Sequence, residues 1–154
     1  MHLRSPLPGY LIVVVGLVLA LWIAFGRVLF GVAGELTVVY ALTIAPLLVV
    51  LHLFIAQGVL RTARRGYRSR RATFGTLYAS WGCAVLLGLL IPDLTSTGLQ
   101  TVLTGGSEPA LGIAIGFANP IGIIMFVFAV AALILARGDA NGRADLPTEE
   151  ELYS

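Results

Sequence analysis

Residues 36–71 read LTVVYALTIAPLLVVLHLFIAQGVLRTARRGYRSRR: twenty-five residues without a charged side chain, then six arginines within eleven residues. At about 1.5 Å rise per residue, a helix over the first part crosses a hydrocarbon core of about 30 Å. The second part is too costly to place inside that core and stops at its edge. An apolar run ending against a basic block is the pattern of a membrane span with its anchor.

Three further stretches lack Asp, Glu, Lys and Arg: Pro6 to Gly26, Ala72 to Ile91, and Pro109 to Ala136. Together the four runs predict an all-α integral membrane protein, an up-down bundle of four transmembrane helices at about residues 8–26, 36–60, 73–91 and 109–136 (spans 1 to 4). Composition agrees, since 58% of the chain is apolar and 12% charged, where a soluble domain carries about a quarter charged residues. After Ala136 the composition changes, with Gly138, Gly142, Pro147 and five of the eight acids, so 137–154 reads as a flexible acidic tail. Arg4 before the first run and Gly31-Val32-Ala33 after it resemble a secretory leader. That run is long for one and Arg27 intervenes, so retention of span 1 is expected.

The chain has no lysine, and its ten arginines are unevenly placed. Arg4 precedes span 1, six lie between spans 2 and 3, and Arg137 and Arg143 follow span 4, leaving Arg27 alone at the other end. Because short basic loops stay on the cytoplasmic side, both termini and the arginine loop are expected there. Such asymmetry also disfavours dual insertion. The arginine-only, Ala/Gly/Val-rich composition resembles that of proteins encoded by high-GC bacterial genomes, which speaks to codon bias alone; the expected location is a bacterial inner membrane.

The loop arginines Arg61, Arg64, Arg65, Arg68, Arg70 and Arg71 suit contact with an anionic inner leaflet, at up to ~1 kcal/mol each. Docking of an acidic partner is the alternative. A basic run with one tyrosine offers neither a stacking platform nor a fold for nucleic acid. Leu99, Val102 and Leu103 in the loop 92–108 suggest a short amphipathic turn on the bilayer surface.

Membrane helices associate through close packing at small residues. Span 1 carries Gly16, Ala20 and Ala24, span 3 carries Gly75 with Ala79 and Ala84 with Gly88, and span 4 carries Gly112 and Gly116. These seams serve either packing inside the bundle or an oligomer. Thr76, Ser80 and Cys83 share one face of span 3, where each can bond to the carbonyl one turn back.

Few groups remain for chemistry. Pro46 and Pro120 interrupt spans 2 and 4 at similar depth, freeing the carbonyls of Leu42 and Gly116 and favouring kinks. Asn119 lies on the glycine face beside Pro120. His52 is the one intramembrane imidazole, a candidate for proton-linked or ligand-binding use, or for metal or haem ligation, against a structural hydrogen bond. A substrate or ion pathway would therefore run along His52, Asn119, Pro120, Pro46 and Gly116. No span holds a carboxylate or cation, one cysteine cannot form a dithiol relay, and no metal, cofactor, phosphate-loop or nucleophile pattern appears. The expected function is a non-catalytic accessory or assembly subunit, in a homo-oligomer or larger membrane complex. A small oligomeric channel or transporter is the alternative.

Overall fold

A computed structural model describes residues 7–142. His2, Arg4, Arg143 and most of the expected acidic tail, Asp145 and Glu149 to Glu151 included, lie outside the described residues. Helix α1 covers Leu7–Phe25 and continues as a 3-10 turn over Gly26–Phe30. Helices α2 (Leu36–Leu42) and α3 (Ile44–Arg64) form one span, followed by α4 (Arg71–Leu90), the hairpin strands β1 (Asp93–Thr95) and β2 (Gly98–Gln100), and α5 (Ala110–Ala140). Four of these units are long and apolar enough to cross a membrane, so the chain is a small multi-pass membrane protein built as a four-helix bundle.

The break between α2 and α3 falls at Thr43, three residues before Pro46. A proline ring collides with the carbonyl of the residue four earlier, here Leu42, so the chain gives way just ahead of it. Thr43 takes φ −113° and ψ −74°. Its N–H and hydroxyl both donate to the Val39 carbonyl, at 3.0 and 2.6 Å. Pro120 behaves differently. Helix α5 runs unbroken through it for 31 residues, and the expected interruption of span 4 is absent.

Two other expectations change. The segment after Ile91 forms an antiparallel hairpin pairing Asp93 with Gln100 and Thr95 with Gly98, so Leu99 lies in a strand while Val102 and Leu103 follow it in a turn. Gly98, at φ +112°, supplies the backbone its tight reversal needs. Helix α5 also extends past the expected boundary at 136, to Ala140.

Helix α3 packs against α1 and α5, and α4 packs against α5 and α1. Spans 2 and 3, though consecutive, therefore sit diagonally across the bundle, and the arginine loop runs across its end. Leu19, Leu48, Ala84, Leu87, Ala118 and Met125 fill the half nearer the hairpin. Ile12, Ile55, Val59, Leu77, Ala132 and Ala136 fill the half nearer the arginine loop. Small residues set the spacing in span 1: a Cβ at Gly16 would fall 2.6 Å from the Cβ of His52, and Ala20 and Ala24 pack on Ala45. The seam on α5 is different, because Gly112 and Gly116 are exposed and a Cβ at Gly116 meets nothing within 4 Å.

Candidate functional site

At the centre of the bundle His52, 1% exposed, bridges the diagonal pair of helices. The Trp81 indole N–H of α4 donates to His52 Nε2 at 2.9 Å. An indole N–H only donates, so Nε2 accepts and the ring proton sits on Nδ1. Nδ1 then donates to the Leu48 carbonyl at 2.8 Å. Both ring nitrogens are satisfied in a neutral imidazole, and the adjacent Ser80 hydroxyl donates to the Met125 carbonyl of α5 at 3.0 Å. Thr76 bonds one turn back, to Ala72, whereas Ser80 ties two helices together.

The hairpin end holds a buried ion pair absent from the sequence reading. Arg27 and Asp93 are 1% and 0% exposed, with Arg27 Nε 3.3 Å from Asp93 Oδ2. The guanidinium lies over the Tyr40 ring, 4.5 Å from its centroid, and Nη2 donates to the Ile23 carbonyl at 3.3 Å. Asp93 accepts the Leu36 N–H at 2.8 Å and the Thr37 hydroxyl at 2.6 Å, so a carboxylate from beyond α4 caps the start of α2. Burial pushes the Asp93 carboxyl up. The Thr37 hydroxyl, the N–H groups of Gly34 and Leu36, and the Arg27 charge outweigh it and hold the carboxyl below its usual range.

The other end repeats the device. Asp139, 0% exposed, accepts the Arg70 N–H at 3.0 Å and the Thr73 hydroxyl at 2.7 Å, and its Oδ1 lies 2.8 Å from Arg70 Nε. A residue read as part of a tail thus caps α4 from the end of α5.

Of the expected pathway residues, His52 is sealed among α1, α3 and α4, while Pro46, Gly116, Asn119 and Pro120 are exposed on the bundle surface. Asn119 lines a groove of about 320 Å3 with Tyr40, Ile44, Leu87 and Phe126. The structure does not bring His52 and Asn119 to a common cavity. The loop arginines also divide: Arg70 is engaged by Asp139, and Arg61 and Arg65 line a cavity with Arg137. Among the described residues no group of His, Cys, Asp and Glu could hold a metal ion. Sequence reasoning missed Arg27, Asp93 and Asp139 as partners. The signal was faint: a lone arginine directly after a span, and one aspartate just beyond each of two others.

Comparison with protein families, curated proteins and solved structures finds no match.

Proposed function

We propose that this chain is a non-catalytic accessory or assembly subunit of a larger complex in a bacterial inner membrane, with both termini and the arginine loop cytoplasmic. The observation that supports it is Asn119. This amide lies on the exposed face of α5 that also carries Gly112 and Gly116, and no hydrogen-bond partner for it exists among the described residues. An amide facing hydrocarbon without a partner is costly, and open glycines let another helix approach closely enough to supply one. The interior polar groups, by contrast, are already used to hold the bundle. The orientation follows from the arginine distribution.

The test is purification in mild detergent from the native membrane. A partner chain, or a second copy, should co-elute with the wild type and be lost from Asn119→Leu. A protein that elutes alone in both forms overturns the reading. The groove beside Asn119 favours the channel alternative, which requires solute flux from purified protein in vesicles and its loss in Asn119→Leu.

A further inference from the structure

Six loop arginines do not share one environment. Arg64 and Arg71 stand exposed, and Arg70 is held by Asp139. Arg61, in the last turn of α3, and Arg65, the residue just after that helix, line a cavity of about 340 Å3 whose far wall is Arg137 of α5. Gln57 and Asn141 add amides to the lining, and among the described residues no carboxylate lines it. Arg65 Nη1 donates to the Ala140 carbonyl at 2.9 Å, which fixes its guanidinium across the gap between the two helices. Arg61 and Arg137 have no carboxylate or hydrogen-bond partner among the described residues. The Arg137 guanidinium carbon stands 5.8 Å from the Phe54 ring centroid. Phe54 precedes Arg61 by seven residues, about 10 Å deeper along the helix.

Three guanidinium groups facing one cavity repel one another unless an anion lies between them. Their forked donors match phosphate oxygens, which accept several parallel hydrogen bonds at once. The cavity is basic at its mouth and apolar on its deeper side, and it opens between two spans at the membrane edge, where such pockets take lipid headgroups. We infer that it is a discrete site for the headgroup of an anionic phospholipid, with the phosphodiester on Arg61, Arg65 and Arg137 and the acyl chains leaving past Phe54. The inference requires that α3 and α5 span the bilayer, and it is independent of which side the arginines face and of any partner chain.

The test uses full-length protein in nanodiscs of nine parts phosphatidylcholine to one part phosphatidylglycerol, with bound lipid read by native mass spectrometry after release. Wild type should retain one phosphatidylglycerol per chain. Arg61→Gln and Arg137→Gln should each weaken retention about tenfold, as expected for a charge-assisted hydrogen bond. Arg64→Gln and Arg71→Gln, equal in charge change but off the cavity, should stay within about twofold of wild type. All four side chains are exposed, so folding is not at stake. Equal losses in all four variants overturn the inference, because the attraction is then the loop's diffuse charge. Binding of inorganic phosphate with no retained phosphatidylglycerol overturns it in favour of a soluble anion. Retention seen only after removal of residues 143–154 overturns it in favour of the chain's own acidic end.

Discussion

At the residue scale the buried charges and the imidazole decide stability. Removing one member of a buried ion pair leaves the other orphaned, at a cost of about 3–5 kcal/mol, whereas replacing both by apolar groups costs much less. Asp93→Ala should therefore lower the unfolding free energy in detergent by about 3–5 kcal/mol, and adding Arg27→Met should recover part of that loss. A single variant within ~1 kcal/mol of wild type would mean that losing Asp93 does not strand a buried Arg27 charge. The pH response has a definite sign. The Asp93 carboxyl sits below its ordinary range in the fold, and an unfolded aspartate titrates near ~3.9. Its stabilisation is thus complete above that value and is lost as pH falls through the folded one. The unfolding midpoint of wild type should fall below about pH 4 by more than that of Asp93→Asn. A drop of equal size in both would remove Asp93 from the account. Trp81→Phe belongs to the same scale. It strands His52 Nε2 in a dry interior and should cost about 1–2 kcal/mol, read by thermal unfolding. The double variant with His52→Phe should cost less than the two singles added, and strict additivity would contradict a direct bond.

At the element scale, helix seams look alike in sequence and differ in the fold. Gly16 and Gly116 each stand in a small-residue pattern, yet a side chain at Gly16 collides with His52 and one at Gly116 meets open space. Gly16→Val should push α1 off α3 at a cost of about 1–3 kcal/mol, while Gly116→Val stays within about 0.5 kcal/mol. Comparable losses in detergent unfolding would show that the α5 glycines also face protein within the chain. The four spans were legible because lipid demands long uncharged runs, a constraint that each run displays on its own. The break near Pro46 was legible for the same local reason, although the ring strain is relieved upstream at Thr43. Pro120 shows the limit of local reasoning, since losing one hydrogen bond need not interrupt a helix whose other turns persist. The capping roles of Asp93 and Asp139 were not legible. Their partners lie 57 residues away at Leu36 and 66 away at Thr73, and nothing in either neighbourhood names the other.

At the scale of the whole molecule the polar contacts form three tiers. Arg27 and Asp93 bind the hairpin end, His52 and Trp81 join the diagonal helices at the centre, and Arg70 and Asp139 bind the arginine end. The tiers also alter the charge balance that orients the chain. Arg27 is neutralised by Asp93 within the fold, so the hairpin end presents no free arginine among the described residues. At the other end Arg61, Arg64, Arg65, Arg71 and Arg137 have no carboxylate partner among the described residues. Cations in short loops beside the spans resist translocation, and this imbalance is what supports the proposed cytoplasmic placement of the arginine end. Cys83 is the chain's one thiol, so Cys83→Ala gives a blank background for labelling. In intact spheroplasts a membrane-impermeant maleimide should label Ser96→Cys, in the hairpin turn, at once. Ser69→Cys, in the arginine loop, should react only after the membrane is permeabilised. The reverse pattern would mean that six arginines crossed the membrane. Equal labelling of both sites in intact cells would reveal two orientations, an outcome that a nine-to-one division of arginines argues against.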